Sequence, residues 1–348
     1  MRGRPRPDAK VLAVLLALSG CAGAPSPEEA PLTLSVPPEG FPRVAIDPVS
    51  PPGSALAEAR ARLGRRLFFD PQLSRTGLVS CATCHPPANA FADPHPVSAG
   101  VDGRLGHRNA PSLVNLVWTS SFFWDGRETT LEAQVTAPLA NPDEMDLPIA
   151  EAIRRLDADP TYRRAFLLAF DLPASEDGLR RALAFFIRTL VSGQSPYDQF
   201  LRGDAGALTP GARRGKDLFF TERAACFHCH PAGPLTNDGF FNNGSHVLGG
   251  DVGRSAVTGR TGDLGKFKVP GLRNVAATAP YMHDGSLATL DAVVDHYVTG
   301  GRGGPNTDAV IMPLTLSAAD KADLVEFLHA LTDAAFVARF LADARQRD

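Results

Sequence analysis

Two stretches of this chain follow one order of apolar and polar positions. Residues 63–85, LGRRLFFDPQLSRTGLVSCATCH, run from a basic amphipathic helix into an aromatic pair, a short loop and a Cys-x-x-Cys-His pentapeptide. Residues 213–230, RRGKDLFFTERAACFHCH, repeat that order. Each copy closes with a stripe of period 3.6. In the first, Leu179, Leu183, Phe186, Ile187 and Leu190 stop before Gly193; in the second, Leu324, Phe327, Leu328 and Leu331 follow a capping box of Ser317 and Asp320. Thr209 and Pro210 read as N-cap and first-turn residue of the second unit. Strand-like runs are few. The pattern predicts a mostly α protein of two tandem domains, 54–205 and 206–348, with the boundary near 195–208.

Ahead of the repeat the pattern breaks down. Residues 1–21 carry a basic start, a short apolar run from Val11 to Leu18 and the tetrapeptide LSGC. That run is far shorter than the roughly 20 residues a membrane-spanning helix needs, so the layout is that of a signal peptide. LSGC resembles the bacterial lipoprotein box, in which Cys21 is lipidated and becomes the first mature residue; cleavage after Ala24 is the alternative. Nine prolines in residues 22–52 predict an extended tether over 22–53. A lipid anchor at Cys21 would then hold the folded part near a membrane.

The formal charge is −3, and four of the basic residues, Arg2, Arg4, Arg6 and Lys10, lie in the leader. What remains is mildly acidic with no Lys/Arg block, which argues against nucleic acid as a partner.

Cysteine usage changes the picture most. Of five cysteines, Cys21 stands in the leader and the other four form CATCH (81–85) and CFHCH (226–230). Thiols at i and i+3 on a helical turn can add to the two vinyl groups of one haem, and the adjacent histidine then faces the iron. Zinc requires four suitable ligands, and its cysteine pairs usually cluster, whereas these lie in separate repeats. A disulfide would leave His85 and His230 unexplained. The chain is therefore expected to carry two covalent haem c groups, on Cys81, Cys84 and His85 and on Cys226, Cys229 and His230. Helix, haem motif, long loop and closing helix is also the order of a cytochrome c domain.

Further motifs surround the two haem sites in a fixed order: GHRNAPSLVN (106–115), FFWDGR (122–127), LEAQVTAPLANPDEM (131–145) and KVPGLRNVAATAPYMHDGSLATLDAVVDHYVTGG (268–301). Over about residues 55–333 the chain resembles the bacterial di-haem cytochrome c peroxidase family, which includes MauG. The resemblance implies a periplasmic oxidoreductase that reduces hydrogen peroxide at the N-terminal haem. Electrons would reach the C-terminal haem from a small donor protein of cytochrome c or cupredoxin type. It places the distal acid/base at Glu144 with Gln134 beside it, an inter-haem aromatic at Trp124, and calcium ligands at Asn109, Thr278 and Pro280. A carboxyl in that position suits the proton shift that O–O cleavage requires.

The second iron's sixth ligand departs from the usual methionine: the matching position is Tyr297, as in MauG, with Met312 and Met282 as competitors. A MauG-like oxidase acting on a partner protein and a non-catalytic electron-transfer cytochrome are the rival readings; both tryptophans, Trp118 and Trp124, lie in the first half. Trp118 is expected to be core. His228 is expected to face solvent and His283 to bond a haem propionate, while His246, His296 and His329 have no assigned chemistry. In many family members a loop histidine blocks the oxidised first iron. Here the matching position is Val101, which cannot ligate, although His95 and His107 stand nearby.

Overall fold

Ser54 caps the opening helix Ala55–Phe68, its hydroxyl accepting the Ala57 N–H at 3.1 Å. Leu63, Leu67 and Phe68 of that helix pack on the closing helix Glu176–Arg188, and all five residues of the predicted stripe, Leu179 to Leu190, are buried there. The crossing is close because Gly64 stands at it: a Cβ added there would lie 1.9 Å from the Ala182 carbonyl oxygen. The second half repeats the device. Helix Pro210–Phe219, capped by Thr209, crosses helix Ala318–His329 at Gly215, where a Cβ would lie 1.9 Å from the Asp323 carbonyl oxygen. The Ser317/Asp320 capping box is present, and Leu324, Phe327, Leu328 and Leu331 are buried in a second core.

The computed structural model describes residues 38–42, 53–245, 250–304 and 306–345. Cys21 with its leader, most of the Pro-rich segment and His246 lie outside the described residues. Apart from one short antiparallel pair, Phe240–Phe241 with Phe267–Lys268, the regular structure of the described residues is helical.

The internal symmetry extends into the loops. Asn115 and Asn274 both adopt the left-handed conformation, at φ 63° and 62°. Each N–H donates to the end of its closing helix, Asn115 to the Leu190 carbonyl (2.8 Å) and Asn274 to the Leu331 carbonyl (3.0 Å). Each side-chain oxygen accepts a backbone N–H just beyond, from Ser192 (2.9 Å) and Asp333 (2.8 Å). Asparagine tolerates this conformation and bonds backbone locally, so one residue type staples each distal loop in place.

Two segments depart from what position in the chain predicts. Within the Pro-rich stretch, Phe41 is buried under the Arg273 guanidinium, 5.1 Å from its ring centroid, and the Trp118 indole donates to the Pro42 carbonyl at 2.7 Å. Trp118 is therefore half-buried against this strap rather than set in a core. At the other end, helix Ala334–Arg345 follows the second core, yet its Phe336 and Phe340 are buried in the first.

Candidate functional site

Both pentapeptides open onto one continuous cavity of about 1120 Å³, just above the roughly 300–1,000 Å³ usual for a small-molecule site. In each, the histidine N–H returns to the first cysteine's carbonyl at 2.9 Å, which sets the imidazole beside the second thiol. The four cysteines form no disulfide. Each imidazole is then oriented by a backbone carbonyl: His85 Nδ1 lies 2.8 Å from the Phe91 oxygen, and His230 Nδ1 lies 2.7 Å from the Leu235 oxygen. Burial holds His85 below its ordinary pKa and lowers His230 to about 4, so both rings are neutral at pH 7. A neutral imidazole whose Nδ1–H is taken by a carbonyl presents Nε2 as a ligand, and two thiols stand beside it. The donor set fits covalent haem at both ends.

At the first end, His85, Gln134, Pro138 and Glu144 line one small chamber bounded by Cys81 and Cys84. The Glu144 carboxylate accepts from Asn141 Nδ2 at 2.7 Å, and its carbonyl accepts the Val101 N–H at 2.8 Å. Burial raises the carboxyl above the usual glutamate range, partly offset by the Asn141 hydrogen bond. An acid/base with a perturbed pKa facing a ligand chamber suits proton transfer near neutral pH.

At the second end stands a phenol. Tyr297 accepts from Asn243 Nδ2 at 3.1 Å, and the same amide donates to Met282 Sδ at 3.3 Å. Asn243 is held in turn by His296, whose Nε2 lies 2.9 Å from its carbonyl oxygen. Burial pushes the Tyr297 hydroxyl up to about 12. Met312 is 61% exposed, which weakens it as a competitor. Thr130 and Thr289 cap corresponding helices, and eight residues after each cap come Pro138 and Tyr297 respectively. A side chain that can bind iron in the second half is thus replaced by one that cannot in the first.

Trp124 lines the same cavity. Its indole donates to the Asn109 carbonyl (2.8 Å), its own carbonyl accepts the Lys268 N–H (2.8 Å), and the Asn109 N–H donates to the His283 carbonyl (2.8 Å). His283, at the position in the second repeat that Trp124 holds in the first, is buried and stacks on Phe267 with ring centroids 3.6 Å apart. Arg108 joins the halves here, binding Asp125 beside Trp124 at 2.6 Å and Asp251 at 2.9 Å. Sequence reading missed Arg108, Asp251 and Asn243. Arg108 stood inside the quoted motif GHRNAPSLVN, and Pro138 had a signal in its count from a Thr N-cap. The proposed calcium residues Asn109, Thr278 and Pro280 line the same cavity; the Asn109 amide nitrogen is taken by the His95 carbonyl at 2.9 Å, so only its oxygen could bind a cation.

None of the loop side chains stands as an evident blocking ligand. Val101 is buried in the first core, and His95 pairs with Asp93 at 2.9 Å with its side chain 76% exposed. His107 is exposed at the cavity rim. His228 is exposed beside Glu222, as expected.

The sequence matches the family model described as di-haem cytochrome c peroxidase over residues 58–206. It is 40% identical over 298 residues to the methylamine utilization protein MauG of Methylorubrum extorquens, spanning 84% of this chain and 82% of that protein. Against the cytochrome c551 peroxidase of Pseudomonas aeruginosa it is 34% identical over 293 residues, 80% of each. Among solved structures, a MauG-like protein associated with microbial copper homeostasis aligns with a TM-score of 0.79 at 37% identity, covering 88% of this chain and 96% of that one.

Proposed function

We propose, from the premise that the chain belongs to the di-haem cytochrome c peroxidase family, that it reduces hydrogen peroxide to water at the His85 end with electrons entering at the His230 end. The observation that supports this reading is the asymmetry of one cavity, with the half-buried Glu144 carboxyl near the His85 end, the Tyr297 phenol in the second half and the Trp124 indole on its lining. Cys81, Cys84 and His85 hold the first haem c, and Cys226, Cys229 and His230 the second. Bound haem supplies the redox iron; the chain supplies the rest.

Hydrogen peroxide, two protons and two electrons give two waters. Glu144, ionised, would take a proton from one peroxide oxygen and return it to the other, which would leave as water. Gln134 hydrogen-bonds the peroxide, and Pro138 offers no ligand to compete with it. Trp124 relays electrons across the interface as an oxidisable indole packed between the halves. Tyr297 would serve as a ligand to the second iron, so that end would exchange electrons rather than bind substrate. Asn109, Thr278 and Pro280 hold one calcium ion through oxygens, which suits a hard cation. A reduced c-type cytochrome or cupredoxin serves as donor. The protein works in the periplasm, anchored through Cys21; among the described residues no helix is long and apolar enough to cross a membrane.

Two tests address this reading. The intact mass of the exported protein should exceed the mature polypeptide by two haem groups, and a mass showing one or none contradicts it. Stopped-flow oxidation of a reduced cytochrome c by peroxide should depend on the protein and fail in Glu144→Gln. Retained turnover would move the chemistry elsewhere.

A further inference from the structure

The helix Ala334–Arg345 follows the second closing helix as the shorter helix Pro196–Leu201 follows the first, and its attachment is elaborate. Asp333, 2% exposed, is its N-cap: one carboxylate oxygen accepts the Phe336 N–H at 2.9 Å. The other oxygen accepts the backbone N–H groups of Gly193 (3.2 Å) and Gln194 (2.9 Å) in the segment joining the two halves. From this anchor the helix crosses to the first half, where Phe336 and Phe340 close on Phe91 with ring centroids 6.1 and 5.1 Å away, the second contact edge-on at 83°.

Phe91 is the residue whose carbonyl takes the His85 Nδ1 hydrogen. It is fully buried, and its backbone is left-handed at φ 60°, directly after Ala90 at φ 47°. Neither residue adopts that conformation without support from its surroundings, because the Cβ crowds the backbone. The matching residue of the second half, Leu235, is left-handed as well, at φ 57°, and its side chain is buried in the second core. The first proximal histidine is thus oriented by a strained turn whose ring is clasped by a helix from the far end of the chain.

We propose that the C-terminal helix is a positioning element for the first iron ligand: Phe340 and Phe336 fix Phe91, and Phe91 fixes the orientation and hydrogen bond of His85. The inference rests on the reading of His85 as an iron ligand. A firm Nδ1–H···O=C bond makes the ring a stronger donor and stabilises oxidised iron; a slack one does the reverse. Position along the chain would give this helix to the second domain, yet its effect falls on the first haem.

The test is Phe340→Ala and Phe340→Leu in the full di-haem protein, read by the iron–histidine stretching band in resonance Raman spectra of the reduced protein and by redox titration of both haems. In Phe340→Ala the band of the first haem should move to lower frequency and its midpoint potential should rise, with the second haem unmoved. Phe340→Leu, which keeps most of the volume, should give a smaller shift in the same direction and carries the test if the alanine variant does not fold. A first-haem band and potential that ignore both substitutions, or equal shifts at both haems, overturn the positioning role. Absence of any first-haem iron–histidine band in the unaltered protein would instead overturn the ligand assignment beneath it.

Discussion

The two halves share a scaffold and differ in what it points at the cavity. Each crosses its terminal helices at a glycine, Gly64 or Gly215, staples its distal loop with a left-handed asparagine, and orients its histidine with a carbonyl. On the distal side they part. The first half puts proline at the position where the second has tyrosine, and follows it with a turn carrying Glu144. On the proposed reading, the first module would become a reaction site because its iron has an acid/base nearby and no side-chain ligand at the Pro138 position, while Tyr297 would close the second. The interface between them combines the polar contacts of Arg108, Trp124, Asn109 and His283 with the C-terminal helix, whose Phe336 and Phe340 enter the first core.

The largest blow to this contrast should come from Glu144→Gln. It removes the proton transfer and little else, so peroxide turnover should fall by about 10²–10⁴-fold while the optical spectra of both haems stay as they were. Steady-state kinetics with a reduced donor checks this, and near-normal turnover would dissolve the difference between the halves. Next in size, Tyr297→Met replaces a phenolate ligand with a thioether and should raise the second haem's potential, with the first unmoved. Redox titration measures it, and no change would hand the ligand role to another residue.

Gly64→Ala and Gly215→Ala probe what the halves share. Each drives a methyl into a backbone carbonyl and should cost about 1–3 kcal/mol, comparably in both, as seen in thermal denaturation. The smallest effect is one of pH. Glu144 must be ionised to accept the first proton, so turnover is present above its pKa and lost as pH falls through it. Burial already sets that pKa above the ordinary glutamate value. Because the Asn141 hydrogen bond lowers it, Asn141→Ala should raise it and move the acid limb of the pH–rate profile upward.

Local signals made much of this legible in the chain. The closing stripes and caps appear because an amphipathic helix repeats every 3 to 4 residues, and the haem motifs because their spacing serves a single geometry. Glu144 is different: alone in a turn of acids it looks like a solvated side chain, and only the flanking motifs of a known family single it out. Arg108 and Asp251 meet across 143 residues of chain, a pairing no local pattern encodes. The same holds for Phe336 and Phe340, whose spacing announces a helix with an apolar face but not which half it covers. The strap at Phe41 was hidden by its prolines, which signal an extended chain whether it is docked or free.

The central claim is that the first iron is open and the second closed, and electron paramagnetic resonance of the fully oxidised protein, before and just after a stoichiometric addition of peroxide, tests it most directly. The account predicts a high-spin signal that vanishes on addition, beside a low-spin signal that is the first to change in Tyr297→Phe. A protein that is wholly low-spin, and inert to peroxide until one electron is supplied, would contradict it; recovery of the high-spin signal in His95→Ala or His107→Ala would then name the histidine that closes the site.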